Sequence, residues 1–325
     1  MAEQTANKRK GGMKAILAAM AANLGIAVMK LLAWLLTGAA SLLAEAIHSA
    51  ADTANQIIML LGDKSAAKQA DSGHQFGYGR ARFVNAFLVA LILFSMGGLF
   101  AVYEAFHKFE ELRAGHGDDL LESRWWWVAI IVLVGSIIME SLSLRTALRE
   151  SKPHRVGMPL WRFIHESKEP EFMVVILEDT AALTGLCFAF VGIITTLLTG
   201  NAIFDIIGSF LIGILLIVVA IILAVETKSL LIGESADKQT LDQIRACLLS
   251  IPGFDHVVYL QTLYIGPDEL LVAGKVAVNE NEDAAQVAHS IDDAEQRIRQ
   301  AVPNASPIYI EIDIWQPETS DGSAD

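Results

Sequence analysis

Positive charge is scarce in this 325-residue chain: 24 lysines and arginines stand against 37 aspartates and glutamates, a formal net charge of −13. Nucleic acid is held by clustered basic side chains on one face. No such face is visible, so a nucleic-acid partner is not expected. Cysteine is nearly absent too, and Cys187 and Cys247 supply neither a disulfide framework nor a thiolate metal site. No Gly-rich loop with a following Lys-Ser/Thr occurs, which removes nucleotide-driven pumping. The absence of a His-Glu-x-x-His or a recognisable nucleophile motif removes the common hydrolases. The chain is expected not to be an enzyme and to hold no prosthetic group.

Apolar residues are what the chain has in plenty: 53% are hydrophobic and 19% charged, with a mean hydropathy of +0.44. Most of it is expected to sit in lipid. Crossing about 30 Å of hydrocarbon at about 1.5 Å per residue needs long apolar stretches. Six are present: Met13–Leu36, Ser41–Leu61, Phe83–Phe106, Trp125–Leu144, Phe172–Leu198 and Ile203–Val225. Lysine and arginine gather at the N-terminus (Lys8, Arg9, Lys10, Lys14), in the second connection (Lys64, Lys68, Arg80, Arg82) and in the fourth, from Arg145 to Lys168. By the positive-inside rule both termini are cytoplasmic. Trp125, Trp126 and Trp127 suit an interfacial belt at the outer end of the fourth span. The short N-terminus does not look like a transit peptide, so a cell (inner) membrane of bacterial type is expected.

After Lys228 the composition turns soluble. A helix capped at Asp237 stops at Pro252-Gly253, strands His256–Ile265 and Leu270–Val278 flank a Gly266-Pro-Asp turn, a helix runs from about Glu282 to Val302, and a last strand covers Pro307–Ile314. The expected organisation is a six-helix transmembrane domain over 1–228, a cytoplasmic α-β-β-α-β domain of ferredoxin-like type over 229–315, and a disordered acidic tail over 316–325.

Ionisable residues inside a span are expensive and mark a pathway or a pair. In the second span Glu45, His48, Asp52 and Asn55 stand at i, i+3, i+7 and i+10, on one helical face that must point into the bundle. His48 and Asp52 are about 6 Å apart in axial rise and can converge on one cation. A tetrahedral Zn²⁺ site needs about four ligands, so a partner helix is required. The fifth span offers Glu178 and Asp179, followed by the small Ala181 and Ala182 that allow close approach. Glu45, Asn55 and Asn23 are read as structural, with Lys30 in the first span available to balance an acid. Glu104 and Glu140 lie toward span ends, where hydration is easy.

These residues also resemble a known family. Ser41-Leu-Leu-Ala-Glu-Ala-Ile-His-Ser-Ala-Ala-Asp is similar to the second-helix signature of the cation diffusion facilitators. Asn23 and Lys30, the segment His74-Gln-Phe-Gly-Tyr-Gly-Arg-Ala and the α-β-β-α-β tail with Ala288-His-Ser-Ile-Asp-Asp-Ala-Glu follow in the family's order. The resemblance implies a homodimeric, proton-coupled exporter of a divalent metal, usually Zn²⁺, with ligands on helices two and five. Carried over by position, His48, Asp52 and Asp179 match family ligands. Val175 stands where His or Asp is usual, and adjacent Glu178 resembles the Glu-Asp pair of the branch holding the mitochondrial zinc-transporter-like homologues. Three roles stay open for Glu178: direct ligand, ligand through water, or proton relay. The last strand, Ile308-Tyr-Ile-Glu-Ile-Asp, lacks the histidine that commonly serves a cytoplasmic metal site, and Arg82 replaces a usual Glu. With one imidazole and up to three carboxylates the site also suits Mn²⁺, Fe²⁺ or Co²⁺. A non-transporting membrane metal sensor or scaffold is the more distant alternative.

Overall fold

The computed structural model describes residues 20–21, 23–115, 119–155, 157–278 and 282–314. The start of the expected first span, the basic N-terminal cluster and the acidic tail lie outside the described residues. The chain divides into two units, Met1–Lys64 with Phe83–Lys228, and Ser65–Arg82 with Ser229–Asp325.

The first unit is helical, with α1 (Asn23–Thr37), α2 (Ala40–Ala66), α3 (Ala81–Arg113), α4 (Trp126–Glu150), α5 (Pro170–Thr199) and α6 (Ile203–Ile232). Four of them, α3 to α6, are long and apolar enough to cross a bilayer. At 27 residues α2 is also long enough, and the polar row from Glu45 to Asn55 is what lowers its apolarity. The helices overrun the apolar stretches. α4 ends at Glu150 and not Leu144, and α6 at Ile232 and not Val225. Hydropathy reports where hydrocarbon ends, whereas the i to i−4 hydrogen-bond ladder continues into charged sequence until a cap stops it. For α5 the stops are Pro170 in the first turn and Gly200, which ends the helix with a left-handed φ of 68°. One consequence is that Glu140 stands midway along α4 and not toward its end.

Small residues set a close helix crossing. α3 contains a π-helical stretch at Leu93–Leu99, within which Gly98 meets Gly213 of α6. A Cβ on Gly213 would lie 2.8 Å from the Val102 amide nitrogen and 3.0 Å from the Gly98 carbonyl oxygen. Only hydrogen fits there, so the two backbones touch.

In the second unit α7 (Lys238–Leu249) and α8 (Ala284–Ala301) join strands β1 (Phe254–Gly266), β2 (Glu269–Val278) and β3 (Ala305–Ile314). The α-β-β-α-β order expected from the sequence is the order observed. The sheet runs β1-β2-β3, antiparallel across the first pair and parallel across the second. A tight turn suffices for the hairpin, while the parallel return needs α8 as its crossover. α7 packs on β1 and α8 on β3, burying Ile244, Leu248, Ala294 and Ile298. Asp237 caps α7 by accepting from the Thr240 amide at 3.0 Å, and Asp283 with Gln286 forms a capping box on α8.

The segment Ser65–Arg82 belongs to this unit. Asp71 organises its turn by accepting from the Gly73 and His74 amides, both at 2.8 Å, and from the Tyr78 hydroxyl at 2.7 Å. Gly79 lies so close to the β1–β2 hairpin that a Cβ there would stand 2.8 Å from the Ile265 carbonyl oxygen. Arg82, the departure from the family pattern, pairs with Asp268 of the hairpin turn at 3.0 Å.

Candidate functional site

The polar row of α2 is buried as its spacing requires. Lys30, Glu45 and Asn55 have no exposed surface, His48 is 1% exposed and the Asp52 side chain 16%. At the head of the helix Asp205 of α6, itself buried, accepts from the Ala40 amide at 2.7 Å and from the Ser41 hydroxyl. The Asp205 amide in turn donates to Thr196 of α5. An acid two residues inside the expected sixth span meets the same rule that singles out Glu45, so the signal for Asp205 was available in the sequence.

Lys30 Nζ lies 3.0 Å from Glu45 Oε2 and donates to Ser49 Oγ at 2.8 Å. One turn on, His48 Nδ1 stands 3.5 Å from Asp52 Oδ1. Neither ring nitrogen of His48 has a hydrogen-bond partner, and neither does Asp52 Oδ1. Buried polar atoms are almost always paired, so three unpartnered polar atoms on one turn, one imidazole N–H, one imidazole lone pair and one carboxylate oxygen, are a feature to be explained. A soft cation is one species that satisfies an imidazole nitrogen and a carboxylate oxygen together.

The facing helix is α5, whose inward side is formed by Val174, Glu178, Ala181 and Gly185 at spacings of four, three and four. A Cβ on Gly185 would lie 2.6 Å from Glu45 Oε1, and at the other end Asn55 Nδ2 donates to Glu178 Oε1 at 2.6 Å. The two helices therefore run against each other along a polar track from Glu45 to Glu178.

Of the four residues singled out as ligands, the structure brings His48 and Asp52 together and ties Glu178 to the same helix through Asn55. Asp179 sits about 100° further round α5 and accepts from Ser143 of α4 at 2.9 Å. Val175, one turn before Asp179, is 36% exposed. Among the described residues no three His, Cys, Asp or Glu side chains stand close enough to hold one ion. Ser143 escapes sequence reasoning because a lone serine on a mostly apolar helix carries no spacing signal. Elsewhere, His165 of the fourth connection pairs with Glu226 of α6, and His289 is exposed on α8.

Comparison with known proteins gives the following. A family profile described as the cation efflux transmembrane domain matches residues 16–232. The Xenopus laevis protein named "Proton-coupled zinc antiporter SLC30A9, mitochondrial" is 33% identical over 245 residues, covering 75% of this chain and 42% of that protein. "Metal tolerance protein C4" of Arabidopsis thaliana is 28% identical over 82% of this chain and 57% of its own length. "Cation-efflux pump FieF" of Pectobacterium atrosepticum is 25% identical over 90% of both chains. The chain thus spans less than half the length of the first of these relatives.

Proposed function

The chain belongs to the cation efflux family, and from that premise we propose that it exports a divalent cation, Zn²⁺, in exchange for protons by alternating access to a site between α2 and α5. The observation that carries the proposal is the buried His48–Asp52 turn with both imidazole nitrogens and a carboxylate oxygen unpartnered. Ligation needs a neutral imidazole and ionised carboxylates, so cation and protons compete for the same lone pairs. If the cation loads from one side and protons from the other, an inward proton gradient drives export. His48 and Asp52 are the α2 ligands. Glu178 faces the same track, and Asp179 joins the set on leaving Ser143. The relative named a proton-coupled zinc antiporter supports both the cargo and the coupling.

The same proposal takes α1 and α2 as the two further spans of a six-span bundle in the lipid bilayer of a cell (inner) membrane, with both termini cytoplasmic and the protein a homodimer. A second cargo reading rests on Val175: no second imidazole accompanies His48, so a carboxylate-rich set favours Mn²⁺, Fe²⁺ or Co²⁺.

In liposomes, Asp52→Ala and Asp179→Ala should each abolish cation-dependent proton flux while leaving assembly intact. Undiminished flux in both variants rejects this site. A scan over divalent ions in the same vesicles decides between the cargo readings, and stoichiometric binding without flux would make the chain a sensor.

A further inference from the structure

Glu45 has every sequence qualification for a ligand. It lies three residues before His48 on the same face of α2, and its Oε1 is buried with no hydrogen-bond partner. What distinguishes it from Asp52 is Lys30. The ammonium is 3.0 Å from Glu45 Oε2 and 2.8 Å from Ser49 Oγ, so it bridges the two residues that flank His48 on the helical turn. Among the described residues no other lysine or arginine is fully buried. A buried pair of this kind adds little stability over an apolar pair of the same volume. Opposite Glu45, α5 presents Gly185, where any side chain would collide with the free carboxylate oxygen. Gly185 therefore offers Glu45 no side chain that competes with Lys30.

We infer that Lys30 is a specificity-determining residue of the cation site: its ammonium engages Glu45, so the ion meets one imidazole, Asp52 and the α5 acid without a further carboxylate from α2. An ammonium is a compact point charge, and Glu45 bound to it at 3.0 Å is withheld from the incoming cation. This inference rests on the transport reading above. Its chemical consequence is selectivity. Each added carboxylate oxygen favours Mn²⁺ relative to Zn²⁺, which is better served by imidazole.

The test uses the purified full chain, with Zn²⁺ and Mn²⁺ titrated separately by calorimetry and their fluxes measured in liposomes. Lys30→Met frees Glu45 and should move the Mn²⁺ to Zn²⁺ affinity ratio about tenfold toward Mn²⁺. Lys30→Met/Glu45→Gln, which leaves no lone buried charge, should return the ratio to within about twofold of the parent. An unchanged ratio in Lys30→Met, or a shift that persists in the double variant, overturns the inference and leaves the transport reading intact. Should Lys30→Met fail to fold, Glu45→Gln decides. A change in Zn²⁺ affinity below about threefold supports the inference, and a loss of about tenfold or more, the cost of a lost ligand, overturns it. Binding of neither ion by the parent chain would overturn the transport reading and this inference with it.

Discussion

Asp205 closes the head of α2 from another helix, doing for that end what an N-cap side chain ordinarily does for its own. Replacing it with alanine leaves the Ala40 amide and Ser41 hydroxyl without their buried acceptor. Asp205→Ala should lower stability by about 0.5–2 kcal/mol, read as a lower unfolding temperature in detergent, with Asp205→Asn milder. Asp71 permits a pH argument outside the membrane. The Tyr78 hydroxyl, then the His74 and Gly73 amides, hold its carboxyl below the usual carboxylate range. A group whose folded pKa lies below its unfolded value stabilises the fold above the unfolded value, about 3.9, and loses that contribution as pH falls through the folded one. The turn should therefore be insensitive from pH 8 to 5 and loosen below about pH 4. Hydrogen exchange at the Gly73 and His74 amides checks this, and Tyr78→Phe, which removes the largest cause, should move the onset to higher pH.

Between helices, the Gly98–Gly213 contact is the place where a small change has nowhere to go. Each Cβ would meet a branched side chain, Ile217 for Gly98 and Val102 for Gly213, and behind it backbone atoms at 2.8–3.3 Å that cannot swing away. Gly213→Val should force α3 and α6 apart at a cost of about 1–3 kcal/mol, seen as a reduced midpoint in thermal denaturation. A midpoint equal to the parent's would mean the two helices slide freely. The α2–α5 pair is looser in kind, held by polar contacts at its ends, Asn55 to Glu178, with Gly185 giving room to Glu45. Rotation of α5 about its axis exchanges Glu178 for Asp179 on the inward side, because adjacent residues differ by about 100°. On the transport reading that rotation is the movement to look for. Cross-linking Asn55→Cys with Glu178→Cys should be efficient in the absence of Zn²⁺ and should fall when Zn²⁺ is present.

For the molecule as a whole, cargo binding to the folded state and not the unfolded one raises stability by mass action, about 2.7 kcal/mol at a hundredfold excess over Kd. On the transport reading Zn²⁺ should thus raise the unfolding temperature of the parent chain and chelation reverse it, with no rise in Asp52→Ala. In the second unit Lys275 is bound by Asp313 at 3.0 Å and Glu311 at 3.3 Å across the parallel strands; these hydrogen bonds hold its ammonium above and the Asp313 carboxyl below their ordinary values, while the Tyr259 hydroxyl, then Lys275, hold Glu311 below its own. The last strand that lacks the family's histidine thus carries acids already engaged by a lysine. Much of this was legible locally. Apolar runs mark α3 to α6 because leaving the bilayer is costly residue by residue, and β-rich runs around a Gly-Pro turn mark β1 and β2 because β-branched and aromatic side chains suit a pleated surface and Gly-Pro breaks it. The inward row of α2 was legible for the same reason, since spacing alone puts Glu45, His48, Asp52 and Asn55 on one stripe. Partners were not. Periodicity assigns a residue to a face of its own helix and is silent on how the neighbouring helix is turned, so it could not say that Glu178 meets Asn55 while Asp179 meets Ser143, or that Asp205 reaches Ser41 from 164 residues away. Those choices come from the packing of whole helices, where backbone contacts such as Gly98 on Gly213 fix rotation and depth together, and no local stretch of chain contains that information.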